Sequence, residues 1–254
     1  MLPYIFCMIK TVAFIIVLLL FHQYLYPINS IFTFSLLFFY KTKAPLYILV
    51  LTGRGFVTMT AERTERLATV LHKRQTDLTV VLENVFDPHN ISAVMRTCDA
   101  VGIQDIYILN NKIPPHKKWG AKSSSSAAKW LTIHQFTDAA ECFTALRKNF
   151  SKIYTTHLSS DAFTLHELNL TEPVALIFGN EHSGVSEEII AMADGNFIIP
   201  QVGIIRSLNI SVACAVTLYE AFRQKNDAGH YNEIKLQGKQ LETLRTNWGF
   251  IEDE

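Results

Sequence analysis

The stretch LTVVLENVFDPHNISAVMRTCDAVGIQDIYIL, residues 78–109, decides the fold. Leu78–Glu83 is a short run of apolar and β-branched residues, the composition of a strand buried on both faces. Asp87-Pro88-His89 reads as a turn. Asn90 is a good N-cap for a helix over Ile91–Val101, and Gly102 stands at its C′ position. Asp105–Leu109 is a second strand. Strand, loop, helix and strand make a βαβ unit, so the two strands are parallel and the crossover right-handed.

The alternation continues in both directions. Residues 61–74 form an amphipathic helix with Leu67, Val70 and Leu71 as its apolar stripe; Glu62, Arg63, Glu65, Arg66, Lys73 and Arg74 face water. Downstream come a strand at Leu131–His134, a helix at Asp138–Asn149, and strands at Lys152–Thr156 and Pro173–Phe178. A helix follows at Ser186–Ala193, then a very short strand at Phe197–Ile199, a long helix at Asn209–Arg223 and a last one at Gln237–Trp248. Short buried strands alternating with helices predict an α/β domain, a parallel sheet with helices on both faces.

Familiar nucleotide signatures are missing. Asn84–Pro88 follows the first strand where a dinucleotide fold has G-x-G-x-x-G. Gly179 and Gly184 have P-loop spacing without the Lys-Ser/Thr that completes it. There is no G-x-S-x-G, no H-E-x-x-H and no ligand spacing among nine histidines, so no metal is expected.

Three loops follow strands, where α/β proteins place their ligands. Asn90 and Arg96 belong to the first; as plain structure they are a cap and a surface pair of Arg96 with Asp99. The second, Gly179-Asn180-Glu181-His182-Ser183-Gly184, lets backbone approach a ligand, or is simply a strand-to-helix turn. The third, Ile199–Ala213, places Ser207, Asn209 and Ser211 at the start of an apolar helix, although capping needs only one of them.

Together these loops resemble the SPOUT class of RNA methyltransferases, in its SpoU or TrmH branch. They look like its motifs N-x-x-x-x-x-R, G-x-E-x-x-G and I-P-…-S-L-N-x-S-x-A, in order and at matching spacing. The resemblance covers essentially all of 59–254. It is closest to the tRNA guanosine-18 2′-O-methyltransferases, through the opening helix, Arg74–Val80 and Arg96–Ile103.

The resemblance implies a C-terminal trefoil knot, S-adenosylmethionine as cofactor, tRNA as partner and a homodimer. It places the cofactor near Thr156, Gly179, Ile199 and Leu208. It makes Arg96, Asn90, Glu181, Ser207 and Asn209 the catalytic set. Arg96 matches a residue often described as the general base, but a guanidinium stays protonated in proteins. It is better suited to clamp phosphate and ribose and to stabilise the forming oxyanion.

Composition qualifies the RNA reading. The chain has 254 residues and 23 basic against 23 acidic side chains. Residues 1–58 hold only Lys10, Lys41, Lys43 and Arg54 and no acid, leaving 19 basic against 23 acidic in 59–254, a net −4. RNA contact then falls to local patches. One is Arg63, Arg66, Lys73 and Arg74. The other is Lys112, His116, Lys117, Lys118, Lys122 and Lys129 around Trp119 and Trp130, beside Ser123–Ser126; its plain reading is a solvated loop.

Cys7, Cys98, Cys142 and Cys214 are widely spaced, which argues against a zinc site or a disulfide framework and for a reducing compartment. Residues 1–58 are apolar, with Val12–Phe21 unbroken but shorter than the ~20 residues of a spanning helix. They read as an anchor, as a membrane hairpin, or as a mis-called start upstream of Met59. AT-rich non-coding DNA, translated, has this acid-free, Phe/Ile/Leu/Tyr/Lys-rich composition. The expected domains are therefore 1–58, an apolar extension, and 59–254, the methyltransferase, in the cytoplasm or anchored on its membrane face. Alternatives are a ribosomal RNA 2′-O-methyltransferase of the same branch and a membrane-tethered RNA-binding protein without catalysis.

Overall fold

The computed structural model describes residues 47–52, 55–116, 127–205 and 207–250. The chain divides into two compact units after Ala61. In the first, β1 (Tyr47–Thr52) and β2 (Gly55–Thr60) pair antiparallel, Val50 opposite Val57. The rest of the extension read at 1–58 lies outside the described residues. Among the described residues no helix is long and apolar enough to cross a membrane.

The second unit follows the predicted alternation. After α1 (Ala61–His72) come β3 (Leu78–Glu83), α2 (Pro88–Ala100), β4 (Asp105–Leu109), β5 (Thr132–Phe136) and α3 (Ala139–Leu146). Then follow β6 (Lys152–Thr156), β7 (Phe163–Thr164), β8 (Val174–Phe178), α4 (Glu187–Met192), β9 (Gly195–Ile198), α5 (Ile210–Asp227) and α6 (Gly238–Trp248). Strands β3 to β9 form one parallel sheet in the order β5-β4-β3-β8-β6-β9-β7. Within this sheet β7 alone has no counterpart in the sequence reading; two residues carry too little periodicity to register.

Strand side chains alternate between two cores, as a pleated sheet requires. Leu78, Val80, Leu82, Ile106, Ile108, Val174, Leu176 and Phe178 pack with Ile91, Val94, Met95 and Cys98 of α2 and Cys214, Leu218 and Ala221 of α5. Val81, Tyr107, Leu109, Ala175 and Ile177 pack on the other face with Cys142, Phe143 and Leu146 of α3 and Ile189 of α4. Gly102 ends α2 as expected: its φ is +84°, and a Cβ there would lie 2.7 Å from the Lys73 carbonyl oxygen. Cys98, Cys142 and Cys214 are free and buried, and burial pushes the Cys98 and Cys142 thiols up to about 12.

Arg74 corrects the sequence reading. α1 stops at His72, and Arg74 turns inward and is fully buried. Its guanidinium pairs with Asp99 at 2.6 Å, donates to the carbonyls of Ile103 (2.9 Å) and Trp130 (3.3 Å), and lies 5.2 Å from the Trp248 ring centroid. Arg74 is thus a cross-brace between α1, α2 and α6, not part of an RNA patch. Asp99 therefore pairs with Arg74. Trp130 also turns to structure, packing edge-on against Trp248 at 5.2 Å.

A second buried ionic group ties the C-terminal part of the chain to the start of β3. Asp77 accepts from Lys225 (3.1 Å) and Lys235, and His230 lies 3.5 Å away. Lys225 is fully buried and also donates to the Thr171 carbonyl. Burial pushes the Asp77 pKa up, but the hydrogen bonds and charges of Lys235 and Lys225 outweigh it. The carboxyl sits below its ordinary value.

Candidate active site

The three motif loops follow β3, β8 and β9 at the C-terminal edge of the parallel sheet. The N-cap of α2 is Asp87, not Asn90: its Oδ1 accepts the His89 N–H at 2.8 Å, and Pro88 takes the first helical position. An Asp cap followed by Pro suits a helix start, because Pro pre-sets φ and has no N–H to satisfy. Asn90 is thereby left inside the first turn with its amide uncommitted to the cap.

That amide links the three loops. Asn90 Nδ2 donates to Glu181 Oε1 at 2.7 Å, and Asn209 Nδ2 donates to Asn90 Oδ1 at 3.2 Å. The other Glu181 oxygen accepts the Phe86 N–H at 3.4 Å. Asn209 caps α5 as well, its Oδ1 accepting from the Ser211 N–H (2.9 Å) and hydroxyl (2.6 Å). Asn209 thus caps α5 and reaches Asn90 with the same amide. Arg96 is exposed on α2, and Ser207 is exposed before α5. Asn90 bonds to both of the other loops.

The loop carrying Glu181 is closed on itself. Asn180 and Gly184 exchange backbone hydrogen bonds, and Asn180 Oδ1 accepts the His182 and Ser183 N–H groups, both at 2.8 Å. Sequence reading gave Asn180 no role, although Asn opening a polar run is the mark of a side-chain-capped turn. A Cβ on Gly179 would lie 1.9 Å from the Gly184 carbonyl carbon and 2.1 Å from the Val185 nitrogen. Only glycine permits that approach.

Three of the four residues expected at the cofactor lie at neighbouring strand ends. Gly179, Thr156 and Ile199 follow or end β8, β6 and β9, which are neighbours in the sheet. Thr156 Oγ1 donates to the Ile177 carbonyl at 3.3 Å, binding two of these strand ends together. Ile199 is half-buried against the core, whereas Leu208 is exposed beyond the loop that follows β9. An edge with backbone groups past the last ladder pairs and apolar Ile199 beside them fits a nucleoside. Its base takes backbone hydrogen bonds at its rim and apolar contact on its faces.

Of the basic residues, Arg63, Arg66 and Lys73 are exposed near α1, as are Lys112 and Lys129. His116 Nε2 lies 2.8 Å from the Val85 carbonyl. Lys117, Lys118, Trp119, Lys122 and Ser123–Ser126 lie outside the described residues. A shallow groove of about 620 Å³ beside Phe143, Arg147 and Met192 contains none of the motif residues. Among the described residues no group of His, Cys, Asp and Glu is placed to hold a metal ion.

The chain is similar in sequence and fold to known proteins. A family model described as the SpoU rRNA methylase family matches residues 77–219. The tRNA (guanosine(18)-2′-O)-methyltransferase of Thermus thermophilus is 41% identical over 191 residues, covering 74% of this chain and 96% of that protein. The crystal structure of an Aquifex aeolicus TrmH/SpoU tRNA modifying enzyme superposes with a TM-score of 0.69 at 35% identity, covering 74% of this chain and 94% of that one. An AdoMet-bound rRNA methyltransferase from Sinorhizobium meliloti gives a TM-score of 0.54 at 26% identity, covering 60% and 58%.

Proposed function

The chain belongs to the SpoU methylase family, and from that premise we propose that it methylates the ribose 2′-OH of guanosine 18 in tRNA, using S-adenosylmethionine. The observation that carries this reading is the hydrogen-bonded chain Glu181–Asn90–Asn209. It joins the three motif loops, and the helix that carries Asn90 also carries the exposed Arg96.

S-adenosylmethionine, when bound, supplies an electrophilic methyl group. Thr156, Gly179, Ile199 and Leu208 would hold it. The ribose hydroxyl is a poor nucleophile until its proton leaves, and negative charge then develops on its oxygen. Arg96 supplies a fixed positive charge for that oxygen and for the neighbouring phosphate. A guanidinium does not accept the proton, which passes to phosphate or water. Asn90 and Asn209 position groups at the site, and Glu181 and Ser207 order it.

Three further features complete the proposal. Strand order supports a trefoil knot: β6 and β7 are consecutive, joined by 157–162, yet β9 enters between them, with Phe197 opposite both Thr156 and Phe163. A homodimer is supported by the exposed stripe of Val212, Val216 and Tyr219 on α5. Arg63, Arg66 and Lys73 would meet tRNA phosphates, with Lys117, Lys118 and Lys122 as further contacts. The enzyme works where tRNA is, in the cytoplasm, and 59–254 is its catalytic part.

The test is methyl transfer from labelled S-adenosylmethionine to total tRNA, by the full chain and by a chain begun at Met59. We expect 2′-O-methylguanosine in the D loop from both. Transfer to ribosomal RNA alone moves the substrate and keeps the chemistry; no transfer to either RNA refutes the reading. Arg96→Ala should abolish turnover and leave cofactor affinity within about twofold. A large loss of cofactor binding would show that the residue holds cofactor rather than the reacting oxygen.

A further inference from the structure

We propose that Glu83, outside every motif described above, is a positioning residue that holds the Glu181 loop in its working place through Ser186. The inference rests on the methyltransferase reading of the same site.

Glu83 is the last residue of β3 and is only 1% exposed. A carboxylate at such a site must be compensated, because burial penalises its charge. No salt bridge reaches it among the described residues. Its partners are neutral donors, chiefly from one residue: Ser186 donates its N–H to Oε2 at 2.9 Å and its hydroxyl to Oε1 at 2.5 Å. Asn84 Nδ2 adds a long contact at 3.4 Å.

Ser186 is the N-cap residue of α4, yet its hydroxyl does not cap its own helix. It is spent on Glu83, 103 residues away in sequence. An apolar pair would fill this space without the desolvation penalty. The two hydrogen bonds from Ser186 fix one backbone point in direction as well as distance.

That point is the far end of the Glu181 loop. The loop leaves β8 at Phe178, which is paired with Leu82 of β3. It returns at Ser186, which is held by the next residue of β3, Glu83. Between these anchors the loop is closed by the Asn180–Gly184 exchange and by the contact at Gly179. A closed loop moves as a body, so releasing Ser186 lets Glu181 swing relative to Asn90 and the Phe86 N–H.

The experiment is a double-mutant cycle on the full-length protein. Glu83→Gln keeps the shape and replaces one acceptor oxygen with a donor that opposes Ser186. We expect kcat to fall about tenfold with KM for tRNA within about twofold, the pattern of a displaced catalytic group. In a Glu181→Gln background the same substitution should cost nothing further. Ser186→Ala should reproduce the loss and Ser186→Thr, which keeps the hydroxyl, should restore it. This pair carries the test if Glu83→Gln does not fold.

Equal losses in both Glu181 backgrounds overturn the proposal, as does a lowered melting temperature with unchanged kcat. Amide hydrogen exchange at 179–186 gives a readout that needs no activity. Protection at Ser186 should drop in Glu83→Gln, and unchanged protection also overturns the proposal. If the wild-type protein transfers no methyl, exchange still decides whether Glu83 holds the loop.

Discussion

Replacing Arg74 by Met separates two readings of one residue. Met keeps most of the apolar stem and removes the guanidinium. The protein then loses the 2.6 Å pair with Asp99, two hydrogen bonds to carbonyls and the contact with Trp248. Breaking a buried ion pair from one side costs about 3–5 kcal/mol. Two details favour the lower end. Asp99 is 36% exposed at its side chain, so water hydrates it once Arg74 is gone. The Trp130 carbonyl keeps Gln104 Nε2 at 3.4 Å. A loss of about 3 kcal/mol in a domain of this size lowers the melting temperature by roughly 6–12 °C. Urea unfolding of the wild type, Arg74→Met and Asp99→Asn reads the effect directly, with Asp99→Asn the milder of the two. Filter binding to tRNA is measured alongside. If Arg74→Met melts within about 2 °C of the wild type but binds tRNA several-fold more weakly, Arg74 is an RNA contact and the burial argument fails.

Gly179→Ala forces a Cβ to within 1.9 Å of the Gly184 backbone, so the loop must open. We expect calorimetry to show S-adenosylmethionine binding reduced at least tenfold, with about 1–3 kcal/mol lost in urea unfolding; normal cofactor affinity would place that ligand elsewhere. Asp77→Asn tests the second ionic group. The Asp77 pKa is depressed in the folded state, so its stabilisation is full above the ordinary aspartate value of about 3.9 and fades as pH falls through the folded value. The stability gap between wild type and Asp77→Asn should therefore narrow as pH falls below about 4; a gap that does not change there contradicts the assignment.

The fold was legible because its signals are local. Apolar runs such as Leu78–Glu83 and Pro173–Phe178, set between turn residues and helical patterns, admit one architecture. The candidate site was legible as three loops, but not as one hydrogen-bonded unit. Nothing in the spacing of Asn90, Glu181 and Asn209 says that one asparagine amide spans the other two. Asn90 was mistaken for a cap because both Asp87 and Asn90 suit that position, and Pro88 decides between them through backbone geometry. Arg74 was mistaken for a surface residue because a helix wheel continued past His72 puts it in water. The chain had already left the helix, and Asp99, Ile103 and Trp130 drew it in. Glu83 was invisible for a related reason: a charged residue ending an apolar strand looks like the strand's exit to solvent.

The central position of β8 has a consequence for how the protein is made. β3 is flanked by β4, which follows it closely, and by β8, whose first residue pairs with Leu78 from position 174. A nascent chain emerging N-terminus first can lay down β3, β4 and β5, but it carries β3 with one side open throughout. An open strand edge of Leu-Thr-Val-Val-Leu is a template for pairing with other chains. The wait ends only when Phe178 clears the ribosome, some hundred residues and, at ordinary elongation rates, roughly 5–20 seconds later. Folding of this enzyme is thus gated by translation. Slow codons or a chaperone should matter most between the third strand and the eighth.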